Sequence, residues 1–197
     1  MYVTDFGLPE IINENAVVLI DACAVQASPE SVIPYYGGYV HSQHERMLYV
    51  TLIDSLSDGR IFVTPGVRDE IKKFVILMDT LSMPGRYRKT LNYVCDKLSR
   101  RELEPTKEEA ENIRSLDARL RFFNRSISRQ DYEMLIYGLA IANKRGAIGV
   151  LTNDSGIVET FRQMSQSLDW TDYEPKNTFS IYVKYGMPKF RREVRYP

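Results

Sequence analysis

Four carboxylates in this chain stand where an apolar run or a helix start gives way to a polar corner: Asp21, Glu70, Asp131 and Asp154. Acids scattered along a sequence but placed at equivalent junctions can meet in space, and a set of oxygen donors suits hard divalent cations. Two carboxylates about 4 Å apart repel by roughly 4 kcal/mol at an effective dielectric near 20. Four together would therefore need protons, or one or two divalent ions, to neutralise the site. With no His or Cys in the set, Mg²⁺ or Mn²⁺ is expected over zinc.

Each acid also has a plainer structural use. Asp21 ends the apolar run Ala16-Val17-Val18-Leu19-Ile20 and could cap the next turn, although a charge closing a buried run is otherwise costly. Asp154 lies within Thr152-Asn153-Asp154-Ser155 and could N-cap a following helix. Glu70 falls in the first turns of a helix, where the macrodipole favours an acid. Asp69 is its rival, but adjacent helical residues diverge by about 100°, and the apolar stripe of Val67, Ile71 and Phe74 favours Glu70. Asp131 closes Ser128-Arg129-Gln130-Asp131, a capping-box arrangement. His41 and His44 have no partner motif and read as surface residues.

The elements that must position these acids follow from apolar patterning and punctuation. Ala16–Ile20 is a short continuous apolar run that fits a strand buried on both faces. Ser28-Pro29-Glu30 offers a helix start, broken by Gly37-Gly38, and a longer amphipathic helix is expected over about 42–56. Asp58-Gly59 turns into a second strand, Arg60–Thr64. Thr64-Pro65-Gly66 then opens a helix to about Leu81, closed by Pro84-Gly85.

Helices are also expected over about 87–101 and 106–123. The first carries Leu91, Val94, Cys95 and Leu98 on one face, and the second opens on the capping box of Thr106 and Glu109 and carries Ile113, Leu116 and Leu120. Ser128 opens another helix to Lys144, stopped by Gly146. Ala147–Leu151 and Thr178–Val183 read as strands, with a short helix between them over about 155–165. Strands separated by helices, with no tight hairpin signal, predict an α/β fold with a central parallel sheet and helices on both faces. In such sheets ligands bind outside the carboxyl ends of the strands, where Asp21 and Asp154 fall.

Composition bounds the function classes. At 197 residues with ordinary apolar and charged fractions, one domain is expected. No apolar stretch is long enough to span a bilayer, and residues 1–15 carry Asp5, Glu10 and Glu14 rather than a basic, apolar leader. A cytoplasmic protein with no membrane partner is therefore expected. Cys23 and Cys95 lack CxxC spacing and read as reduced core thiols. Net charge is zero but unevenly spread, with Arg46 and Arg60 the only cations before residue 61.

Taken in order, Val17-Val18-Leu19-Ile20-Asp21, Phe62-Val63-Thr64-Pro65-Gly66-Val67-Arg68-Asp69-Glu70-Ile71, Ser128-Arg129-Gln130-Asp131 leading to Leu139-Ala140, and Gly149-Val150-Leu151-Thr152-Asn153-Asp154 resemble the PIN-domain nucleases over most of residues 16–160. The resemblance implies a three-layer α/β/α fold, with residues 1–175 as the nuclease-like domain. It also implies Mg²⁺ or Mn²⁺ held by Asp21, Glu70, Asp131 and Asp154 for phosphodiester hydrolysis, usually of RNA. Thr152 would support the site, with Asn153 and Ser155 beside it. Ser155 stands where some relatives carry a further acid, which bears on a second metal site. The family includes toxins paired with antitoxins, processing and decay nucleases, and inactive scaffolds that bind RNA or protein. An antitoxin or other protein partner, or a second copy in a homodimer, is thus conceivable.

Substrate grip needs cations and stacking groups. Arg119, Arg121, Arg125 and Arg129 precede Asp131 and could track a phosphate backbone or simply form a solvated face. Phe122 and Phe123 could stack bases or join the core. The C-terminal stretch 176–197 combines a strand with a basic, aromatic tail that could bind RNA, dock on a partner or pack on its own domain, the last being expected. A phosphoacceptor or phosphatase using Asp21 as nucleophile is a further alternative, but Cys23 stands where the phosphatase would place its second acid.

Overall fold

A computed structural model describes residues 5–25, 52–80, 85–167, 178–184 and 190–196. The helix start at Ser28, the Gly37-Gly38 break, residues 42–51, the Pro84 stop, and His41 and His44 lie outside the described residues. The fold is mixed α/β. In chain order its elements are β1 (Asp5–Phe6), α1 (Leu8–Glu14), β2 (Val17–Ile20), α2 (Ala22–Val25), a helical turn over 52–56, and β3 (Ile61–Phe62). Then follow α3 (Pro65–Thr80), α4 (Gly85–Ser99), α5 (Lys107–Leu120), a 3-10 turn (Arg121–Arg125) and α6 (Arg129–Arg145). The remaining elements are β4 (Ile148–Thr152), α7 (Gly156–Ser167), β5 (Phe179–Lys184) and β6 (Phe190–Tyr196).

The six strands form one sheet in the order β1-β6-β5-β4-β2-β3. β3, β2, β4 and β5 run parallel, whereas β6 lies antiparallel to both β5 and β1. The sheet is therefore mixed, and the expectation of a wholly parallel one is corrected at this edge. Phe190 is buried in β6, and Arg192 lies over the rings of Phe6 and Tyr182 at 4.4 and 5.3 Å while pairing with Glu14. Phe190 and Arg192 of β6 thus pack on their own sheet.

Apolar side chains line the central strands on both sides, as continuous apolar runs require. Val18, Ile20, Leu151 and Tyr182 join one core with α1, α3 and α4, while Val17, Leu19, Val150 and Ile181 join another with α5, α6 and α7. The expected stripes hold at Val67 and Ile71 of α3 and at Val94, Cys95 and Leu98 of α4; the Phe74 and Leu91 side chains lie outside the described set. Thr106 and Glu109 form the capping box that starts α5, and the expected helix to residue 123 stops at Leu120, where the chain tightens into the 3-10 turn. Gly146 ends α6 at φ +94°, a conformation that an L side chain rarely adopts. Among the described residues no helix is long and apolar enough to cross a membrane.

Candidate functional site

β2 pairs with β4 in parallel, Ile20 beside Leu151, and the chain leaves β2 for β3 on one side before returning to form β4 on the other. Their carboxyl ends flank the place where strand order reverses, the usual ligand crevice of an open α/β sheet. Asp21 and Asp154 sit there. Asp21 N donates to Leu151 O at 2.9 Å, which fixes the first acid against the end of β4.

Asp21 is only 3 % exposed. Its Oδ2 accepts from Thr152 Oγ1 at 3.0 Å and from the Cys23 thiol. Burial raises the Asp21 pKa, and hydrogen bonds from Cys23, Thr152 and the Ala22 backbone oppose that rise. Cys23 is half-buried rather than a core thiol; burial and the Asp21 charge push its pKa up, so at neutral pH it is a proton donor and not a thiolate. Asn153 N donates to Cys23 Sγ at 3.1 Å, and Asp154 N donates to Thr152 Oγ1 at 3.0 Å. Asp154 itself is exposed and accepts from Gly156 N at 2.7 Å, an Asx turn that leads from the strand end into the first residue of α7. Ser155 sits in the turn before α7, its carbonyl accepting from Val158 N at 3.1 Å.

Asp131 and Glu70 approach from the helices. Asp131 is 7 % exposed, and Ser128 Oγ donates to its Oδ2 at 2.6 Å while accepting from its backbone N–H at 3.1 Å. Its carboxyl is pushed up to about 6 by burial and by the charges of Asp21 and Asp154, against the Ser128 hydrogen bonds. Glu70 is half-buried, and its pKa is raised by burial and then by Asp21 and Asp131, with Lys73 opposing. Asp69 turns away, exposed and paired with Arg68 at 2.8 Å. The Asp21 charge thus bears on both Glu70 and Asp131, and the Asp154 charge on Asp131, and among the described residues no cation is a main influence on Asp21 or Asp131.

No group of three or more His, Cys, Asp or Glu side chains among the described residues is arranged as a ready metal cage. The donors at this corner are carboxylate oxygens, the ligand type that hard cations take. Mg²⁺ in particular is commonly held by one or two carboxylates with waters completing the shell.

Two groups at this corner escaped the sequence. Glu133, two residues after Asp131, accepts from Gly66 N at 2.9 Å and so tethers the start of α3 to α6. A Cβ on Gly66 would come 2.9 Å from Glu133 Oε2, so the Pro65-Gly66 pair was the available signal for this close approach. Cys23 was read only as a core thiol, and its spacing from Asp21 was the clue to a partner. Arg119, Arg121, Arg125 and Arg129 are all exposed. Phe122 is 74 % exposed, and Phe123 packs on the core at its edge, 5.9 Å from the Phe122 ring.

No known family model matches the chain, and no curated protein or solved structure is significantly similar to it.

Proposed function

We propose that this chain is a Mg²⁺- or Mn²⁺-dependent ribonuclease with a three-layer, PIN-like arrangement around its mixed sheet. The observation that carries the proposal is that Asp21 and Asp154 stand at the switch point of the sheet, where the Asp21 charge bears on Glu70 and Asp131 and the Asp154 charge on Asp131, with no cation a main influence on the two buried acids. Acids alone would repel a phosphodiester. A bound divalent ion would supply a polarised water and offset charge on the phosphate.

The chain's own groups would do the rest. Thr152 and Cys23 hold the Asp21 carboxylate by donating to its Oδ2. Ser128 orients Asp131 in the same way. The exposed arginines 119, 121, 125 and 129 lead along the 3-10 turn to the start of α6 and would grip the phosphate backbone. The test is cleavage of single-stranded RNA with Mg²⁺ or Mn²⁺: activity is expected to vanish with chelator and in Asp154→Asn, and activity that survives both would sink the proposal.

A second proposal is an inactive scaffold that uses the same fold to bind RNA or protein. The lack of a ready metal cage among the described residues favours it. Saturable RNA binding with no cleavage under any divalent ion would select it over the nuclease.

A further inference from the structure

A cleft of about 470 Å³ lies where the start of α3 meets α5 and α6. Small-molecule sites commonly span about 300–1,000 Å³. Its apolar lining comes from Pro65, Ile113, Ile136 and the ring of Tyr137. Tyr137 is half-buried, as a ring with one face available to a planar ligand would be.

The polar lining is sorted by charge. Arg114 and Arg129 are exposed and cationic, while Asp117 and Glu133 supply carboxylates. Both carboxylates are held in place. The Tyr132 hydroxyl donates to Asp117 Oδ1 at 3.1 Å, and Gly66 N donates to Glu133 Oε1, so each acid is oriented by one bond while a carboxylate has lone pairs for more. Tyr132 and Glu133 directly follow Asp131 on α6, and Pro65 opens the helix that carries Glu70. The cleft and the acidic corner therefore share two elements, α3 and α6.

An apolar slot with an aromatic ring suits a base, guanidinium groups suit its phosphates, and fixed carboxylates read N–H donors on its edge. Guanine offers adjacent N1–H and N2–H donors that match a carboxylate. Uracil offers one N–H between two carbonyl oxygens, which the carboxylates would repel.

We infer that this cleft is a base-recognition subsite for a guanine nucleotide of single-stranded RNA. Its role in choosing a cleavage position rests on the nuclease proposal; its binding of a nucleotide does not. The full chain is titrated in chelator with guanosine 5′-monophosphate and, separately, uridine 5′-monophosphate, while the methyl NMR signals of Ile113 and Ile136 are followed. Saturable shifts are expected with the guanine nucleotide at least about tenfold tighter than with the uracil one, the discrimination of one good bidentate contact. Asp117→Asn, at an exposed position, is expected to erase that preference while leaving the spectrum dispersed.

Absence of saturation, equal affinity for the two nucleotides, or a preference that survives Asp117→Asn would overturn the subsite. Guanine binding without RNA cleavage in Mn²⁺ would keep the subsite and remove the nuclease. Cleavage with no guanine discrimination would do the reverse.

Discussion

The Thr152 hydroxyl donates to Asp21 Oδ2 and accepts from Asp154 N–H, each at 3.0 Å, so one side chain ties the ends of β2 and β4. Thr152→Val keeps the volume and removes both bonds. We expect it to cost about 1–3 kcal/mol in urea unfolding, because a buried carboxylate and a backbone N–H each lose a partner. RNA cleavage should fall with it, whereas Thr152→Ser should retain both properties. Unchanged unfolding in the valine variant would refute the tie.

Metal-free protein should carry a stability penalty from its own acids. The Asp131 pKa, raised from 3.8 to about 6, means that the folded state binds the proton more tightly than the unfolded state. Its contribution is fully present below the unfolded value and is lost as pH rises through about 4 to 6. Asp131→Asn in chelator is therefore expected to raise stability at neutral pH by on the order of 1 kcal/mol after allowance for solvent screening, seen as a higher Tm. Mn²⁺ should stabilise the unmodified chain and do less for the variant. A lower Tm in Asp131→Asn would argue that its capping role outweighs the repulsion.

The opposite sign applies at Glu109. Its carboxylate accepts from Arg145 Nε and Nη2 and from Thr106 N, all at 2.7 Å, and the Arg145 hydrogen bond holds its pKa below the ordinary value. This contribution is present above the unfolded pKa near 4.5 and is lost as pH falls through the lower folded value. Arg145→Met would leave a buried carboxylate unpaired, and a loss of about 3 kcal/mol is expected. Adding Glu109→Gln to that variant should recover part of the loss, measured by denaturant unfolding in a double-mutant cycle.

Gly138 lets α6 press against β5. A Cβ there would fall 2.6 Å from Phe179 Cε2, and Phe179 is fully buried and stacked on Phe161 at 4.9 Å. Gly138→Ala should destabilise by about 1–3 kcal/mol through overpacking, despite the better helix propensity of alanine. Phe179→Leu added to Gly138→Ala should cost less than the two changes summed. Strict additivity would count against the contact.

The central strands and the helix caps were legible because each rests on a local signal. Val17–Ile20 is apolar throughout, Thr106 stands three residues before Glu109, and Ser128 three before Asp131. Adjacent helical residues diverge, and Asp69 accordingly pairs with its neighbour Arg68 at the surface. What escaped depends on distant partners. Arg192 in β6 resembles a nucleic-acid contact until Phe6, Glu14 and Tyr182 close around it. Glu133 acquires its role only from Gly66, across 67 residues of chain. Leu8, Ile11 and Ile12 of α1 did carry a helical spacing, and short length masked it.

The pairing of Asp5 with Arg191 and of Phe6 with Phe190 sets an order on folding. β1 precedes the parallel strands in the chain, yet its strand neighbour among the described residues, β6, follows them. A growing chain must keep Phe6 unsatisfied while the parallel strands assemble, and such long-range closure is slow and exposes sticky surface in the interval. Loss of β6 would accordingly unclasp β1 as well, leaving β5 with a bare, hydrogen-bonding edge open to capture by another chain.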